Sequence, residues 1–181
     1  DVTVFDAVTP KNLTNFKFGV PNAFDSPCMD CAKSCSASHR SVWEMFLNKS
    51  RKPYTLILED DFDLESPYKN QSSHVSTLIS GLLRTQRHVS WDLINLGRCF
   101  DNCVQQKTIL PLKAVFGFPE NSSLVNSTHG YCAHSYLANR HSIKKLLELS
   151  DPMTSLPDDL IVNSGNSWVI KALVLNPRLF T

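Results

Sequence analysis

Glu59, Asp60 and Asp61 stand side by side in the sequence, and Asp63 follows two residues on. Three adjacent carboxylates repel one another. They come directly after Tyr54-Thr-Leu-Ile-Leu58, a continuous apolar, β-rich run behind Pro53, which predicts a buried strand of a parallel sheet. At the end of such a strand the cluster costs stability unless a cation sits among its members. Hard divalent cations such as Mg²⁺ and Mn²⁺ take oxygen ligands and bridge to substrate phosphates. One or two protein carboxylates suffice, because phosphate oxygens and waters fill the remaining positions. An ion held there stabilises charge developing on a departing phosphate group. A solvated acidic turn or a helix-capping cluster is the other reading of the triplet. The triplet by itself does not separate glycosyl from phosphoryl transfer. The second lacks its usual phosphate loop here, since the six glycines are not clustered.

Other side chains have two readings each. His39, at an expected helix start, could reach a phosphate or an acceptor hydroxyl, or be a buried, hydrogen-bonded histidine. His129 has the same two readings. Trp43, at helical spacing, and Trp91, opening a buried strand, read as core. Trp168 lies outside any periodic pattern and is the better candidate for stacking on an acceptor. Lys144 and Lys145 read as a solvated helix face.

The elements that must position these residues follow from periodicity. Residues 2–8 read as a short strand, and 11–33 as irregular, broken by Gly19, Pro21, Asn22 and Pro27. Ser36 or Ser38 caps a helix running to about Asn48, with Val42, Trp43, Phe46 and Leu47 inward. Residues 74–88 read as a helix with Val75, Leu78, Ile79, Leu82 and Leu83 inward. Strands are expected at 54–58, 91–96, 112–118, 131–138 and 171–175, and helices at 140–149 and 158–163. Strands alternating with helices predict an α/β layered domain with a mostly parallel central sheet and flanking helices. Ligands of such sheets bind beyond the carboxyl ends of the strands, where Glu59, Asp60 and Asp61 fall.

The 181 residues fit one domain with one core, with no repeat, low-complexity tract or linker to divide them. Hydrophobic residues make up 42% and charged residues 19%, a globular composition. A net charge of +1 gives no electrostatic reason for a nucleic-acid or membrane-surface partner. No apolar run approaches the roughly 20 residues of a membrane span. The start of the chain lacks a signal-peptide pattern, so a secretory reading places the targeting segment outside these residues. That reading comes from six cysteines, at 28, 31, 35, 99, 103 and 132, and five Asn-x-Ser/Thr sequons at Asn12, Asn48, Asn70, Asn121 and Asn126. Together they favour an oxidising lumen (endoplasmic reticulum or Golgi) or secretion. A zinc knuckle at Cys28, Cys31 and Cys35 needs a second ligand pair, and Cys99-x-x-x-Cys103 has an unusual spacing for one. Disulfides are the better reading, including a short Cys99–Cys103 loop bridge.

Six blocks in order resemble glycosyltransferase family 25, which includes bacterial lipooligosaccharide β-galactosyltransferases and animal procollagen galactosyltransferases. They are Phe5-Asp-Ala-Val-Thr9, Ser38-His39 with Trp43, Tyr54 through Asp61, Trp91-Asp-Leu-Ile-Asn-Leu-Gly97, Gly130 through Tyr136 with Ser142 through Leu147, and Pro157-Asp158-Asp159. The resemblance implies a GT-A-like fold, a UDP-sugar donor and inversion at the anomeric carbon. It implies that Glu59, Asp60 and Asp61 hold Mn²⁺ or Mg²⁺, with Asp61 the direct ligand. Inversion in one displacement requires a base for the acceptor hydroxyl, and Asp158 or Asp159 is the candidate. The other reading of that pair is a helix N-cap, which Asp158 fits. The family's opening strand lies upstream of the block at Phe5, so part of the donor pocket is expected to be missing from this chain. His129, His134 and the cysteines at 28, 31 and 35 depart from the family pattern.

Two functions follow. One is a metal-dependent transferase moving a hexose, galactose by the resemblance, from a UDP-sugar to a glycan or a hydroxylated protein side chain. The other is a non-catalytic luminal or cell-surface interaction domain that keeps the fold. The acidic triplet favours the first and the missing strand the second.

Overall fold

The structure is a computed structural model and describes residues 2–20, 28–69, 75–99, 106–112, 118–126 and 128–181. Its centre is a six-stranded sheet. In chain order the strands are β1 (Tyr54–Leu58), β2 (Leu93–Asn95), β3 (Lys107–Pro111), β4 (Ser123–Asn126), β5 (Ser135–Asn139) and β6 (Ala172–Asn176). The helices are α1 (Met29–Lys49), α2 (Ser66–Lys69), α3 (Val75–Thr85), α4 (Arg140–Leu149) and α5 (Pro157–Asn166), preceded by a 3-10 helix at Pro10–Asn15. No helix among the described residues is long and apolar enough to cross a membrane.

The sheet order is β1-β5-β2-β6-β4-β3. Only β2 and β6 pair in parallel; β1/β5, β2/β5, β4/β6 and β3/β4 are antiparallel. The expectation of a mostly parallel sheet is therefore corrected. Continuous apolar strands report burial on both faces, and here both faces are covered whatever the strand direction. Leu56, Leu58, Ile94, Leu137 and Leu173 pack on one face with Leu78 and Leu82 of α3. Ile57, Leu93, Tyr136 and Ala138 pack on the other with Trp43 and Phe46 of α1, Ile143 and Leu146 of α4, and Ile161 of α5. The period-2 alternation is present, but it sorts two apolar sets. Because β5 opposes both β1 and β2, strands β1, β2 and β6 still point the same way. Their carboxyl ends, with the amino end of β5, form one edge of the sheet.

Helix α1 begins earlier than the sequence predicts. Ser36 and Ser38 are not caps. Their hydroxyls, and that of Ser41, donate to carbonyls four residues back, at Ala32, Ser34 and Ala37 (3.1, 2.8 and 2.8 Å). Serines can bond inward in this way within a helix. Cys28 is the N-cap, its sulfur accepting from Cys31 N–H at 3.3 Å. Two arginines lock α1 to α4. Arg140 donates to Leu47 O and Ser50 O at the end of α1, both at 2.9 Å. Arg40 donates to Leu147 O and Ser150 O at the end of α4, at 3.0 and 2.8 Å. Each supplies cation donors to carbonyls at the other helix's C-terminal end.

Other expectations need correction. Residues 2–8 form no strand, and Val2 and Val4 are exposed. The predicted strand at 112–118 lies mostly outside the described residues. The hairpin of β3 and β4 precedes and follows it. The strand expected from 131 starts at Ser135, and the predicted helix at 74–88 ends at Thr85, while His74 lies outside the described residues. Asp158 is not the cap of α5. Leu156 is, with Pro157 in the first helical turn, where its lack of an N–H costs nothing. Cys99 pairs with Cys132, not Cys103, and Cys28 pairs with Cys31. Cys103 lies outside the described residues.

Gly97, just past β2, lies against β5. A Cβ there would fall 2.1 Å from His134 Nε2 and 2.2 Å from Ser135 Oγ. Gly97→Ala is expected to cost about 1–3 kcal/mol by overpacking. Urea denaturation of wild type and variant measures it.

Candidate active site at the carboxyl edge of the sheet

Residues 35, 39 and 43 follow one another at four-residue intervals on α1, so they share a face, and that face is pressed onto the sheet. His39 and Trp43 are buried. Tyr136 of β5, fully buried, receives Trp43 Nε1–H at 2.7 Å and meets His39 Nδ1 at 2.9 Å. The other ring nitrogen, Nε2, lies 2.8 Å from Glu59 Oε1. With Nε2–H donating to the carboxylate, Nδ1 accepts from the Tyr136 hydroxyl, which accepts in turn from Trp43. Every member then has a partner, as a buried polar chain requires. Glu59 N–H donates to His134 O at 2.8 Å, extending the β1–β5 ladder past its last strand residue.

This chain sets the electrostatics. The His39 hydrogen bond holds the Glu59 carboxyl below its ordinary value, against the opposing effect of burial, with the charges of His39 and His134 adding to it. Burial pushes the Cys35 thiol up to about 12, and the carboxylates of Glu59, Asp158 and Asp61 push in the same direction. Burial, and then the neighbouring Asp158, raises the Asp159 carboxyl. Burial also raises the Tyr136 hydroxyl.

The predicted site residues divide into two groups. Glu59 is half-buried, while Asp60 and Asp61 are exposed just beyond β1. Asp158 stands in the first turn of α5, and its charge, like those of Glu59 and Asp61, raises the Cys35 thiol. Its Oδ1 accepts from Asp159 N–H at 3.0 Å and its Oδ2 from Cys132 N–H at 3.4 Å. Cys132 has φ of 72° and is bonded to Cys99, so Asp158 helps hold a left-handed residue that L side chains disfavour. His39 also belongs to this group. Asp63 is turned to Lys69 at 2.6 Å, and its backbone pairs with Thr181 at 2.9 Å in both directions, which ties the acidic turn to the segment after β6.

His129 and Trp168 are not brought to this group by any described contact. His129 is exposed, with Nδ1 2.7 Å from Thr128 Oγ1 and its ring edge-on to Tyr131. Trp168 is 77% exposed, with φ of 61°, in the turn leading into β6. Since β1 and β6 run the same way, that turn sits at the opposite edge of the sheet from Glu59.

Sequence reasoning missed Cys35, Tyr136 and His134 as members of the site. The four-residue spacing of Cys35 and His39 was the available signal, hidden because the helix was started at Ser36 or Ser38. His134 Nε2 and Ser135 Oγ are buried without a hydrogen-bond partner among the described residues, beside Gly97 at this same edge.

The fold is a layered α/β one whose candidate site is an acidic turn at the end of β1. Over residues 1–162 the chain matches the family model described as Glycosyltransferase family 25 (LPS biosynthesis protein), so it belongs to that family and is a glycosyltransferase by class. No curated protein matches the chain.

A carboxyl whose pKa is lower in the folded state stabilises the fold above its unfolded value and loses that contribution as pH falls. The unfolded value for Glu59 is near 4.5. The stability lost in Glu59→Gln should therefore be greatest near neutral pH and shrink as pH drops below about 4.5. Urea unfolding of both proteins from pH 7 down to pH 3.5 reads this, and a pH-independent difference contradicts it.

Proposed function

We propose that this chain transfers a hexose, galactose by the family resemblance, from a UDP-sugar to a glycan or hydroxylated protein side chain, with inversion. What supports the reading is the family match together with an acidic turn, Glu59 to Asp61, that directly follows β1 and is joined at Glu59 to the approach of β5, the segment whose Cys132 N–H also bonds Asp158.

Asp60 and Asp61 offer only oxygen donors and face solvent, a donor set that fits Mn²⁺ or Mg²⁺ shared with phosphates and water. Asp61 is the proposed direct ligand, with Asp60 beside it and Glu59 completing the cluster while fixed by His39. Such a cation, when bound, offsets the charge that builds on the departing diphosphate. The acceptor oxygen attacks the anomeric carbon as the bond from that carbon to the diphosphate oxygen breaks. The acceptor's proton passes to a carboxylate. Both oxygens of Asp158 accept backbone N–H groups. Asp159 is raised by burial and by Asp158, the direction that strengthens a carboxylate as a base at neutral pH. His129 and Trp168 remain proposals for acceptor contacts away from the reacting atoms. Two disulfides are compatible with the lumen of the secretory pathway or with secretion.

The test is donor turnover with Mn²⁺ across a panel of UDP-hexoses. Asp61→Asn and Asp159→Asn should each lower kcat by about 100-fold or more, the scale of a lost charge or base contact, with circular dichroism unchanged. Donor binding without turnover in the wild type assigns a binding role instead. Neither binding nor turnover overturns the transferase reading.

A further inference from the structure

Cys35, His39 and Glu59 each offer one donor atom, and the three atoms lie within 4.8 Å of one another. Two come from one face of α1 and the third from the end of β1. We propose that they form a binding site for a borderline-soft divalent cation, zinc foremost, which shares Glu59 with the proposed hard-ion cluster but differs from Asp60 and Asp61 in donor chemistry. This inference does not depend on the transferase reading.

The donor set selects the metal. A thiolate and an imidazole favour Zn²⁺, Co²⁺ or Cd²⁺, whereas Mg²⁺ and Mn²⁺ prefer all-oxygen shells. The geometry is close to closed. Zinc bonds of about 2.0–2.3 Å in a tetrahedron put donors roughly 3.3–3.8 Å apart. His39 Nε2 and Glu59 Oε1, now 2.8 Å apart, need to open by only about half an ångström to reach that span. The supporting groups are in place too. A metal on Nε2 takes the other tautomer of His39, in which Nδ1–H donates to the Tyr136 oxygen 2.9 Å away instead of accepting from it. That oxygen's two lone pairs serve both His39 and Trp43 Nε1–H. Three protein ligands leave one position for water. Binding replaces the thiol proton, which passes to solvent, so a neutral Cys35 becomes a coordinated thiolate.

The neighbouring sulfurs do not compete while oxidised. Cys28 is bonded to Cys31, and Cys99 to Cys132. The second group of potential ligands, Cys99, Cys132 and His134, is closed to metal in that state.

Cobalt(II) is the probe, added to the oxidised protein without reductant. We expect one Co²⁺ per chain, a near-ultraviolet thiolate-to-cobalt absorption band, and displacement by Zn²⁺ but not by a large excess of Mg²⁺ or Mn²⁺. Cys35→Ser should abolish the band, and His39→Gln should keep it while weakening affinity at least tenfold. Independently of any variant, Zn²⁺ should slow modification of Cys35 by methyl methanethiosulfonate at least tenfold in peptide mapping. No cobalt band in the wild type, the same band in folded Cys35→Ser, or unprotected Cys35 overturns the proposal.

Discussion

The site depends on one chain of buried hydrogen bonds, from Trp43 through Tyr136 and His39 to Glu59. It joins three elements that are far apart in sequence. Trp43 and His39 belong to α1, Tyr136 to β5, and Glu59 to the end of β1. In a low-dielectric interior, breaking any link strands a polar group without water, which costs more than a completed bond gains. The chain therefore fixes helix, strand and acidic turn as one unit. It also explains why Glu59 is held and half-covered while Asp60 and Asp61 are exposed.

Packing makes that chain rigid. Arg40 and Arg140 clamp the ends of α1 and α4 to each other through four carbonyl contacts, so α1 has little freedom to slide over the sheet. On the other side of the cluster, Asp158 grips Cys132, and the Cys99–Cys132 disulfide ties the exit of β2 to the approach of β5. The turn after Asp61 is fastened to the segment after β6 through Asp63 and Thr181, and Glu65 pairs with Arg178. The carboxylates thus project from a frame secured on three sides, which is what a site that must pre-arrange charge requires.

Local patterns were legible where one element decided them. Tyr54–Leu58 and Arg140–Leu149 fall where periodicity puts them. Strand direction was not legible. Leu93, Ile94, Tyr136 and Leu137 are buried whether their neighbours run parallel or antiparallel, so composition carries no sign of it. The start of α1 was lost because serine's short side chain caps helices and also bonds back within them, and sequence does not say which. Of the site, the acidic turn and His39 could be read from their types. Cys35 had only its helical spacing from His39 as a signal, and Tyr136 had none, because its role arises from a helix face meeting a strand face with 100 residues of sequence between Cys35 and Tyr136, a pairing that only tertiary packing determines.

The central claim is that His39 and Glu59 act as a coupled pair fixing the acidic turn to α1. A double-mutant cycle with His39→Gln, Glu59→Gln and the double variant, read by urea unfolding at pH 7, tests it most directly. A coupling energy of about 1 kcal/mol or more is predicted for such a part-buried, charge-assisted bond. Single effects that simply add, to within about 0.3 kcal/mol, would contradict the account.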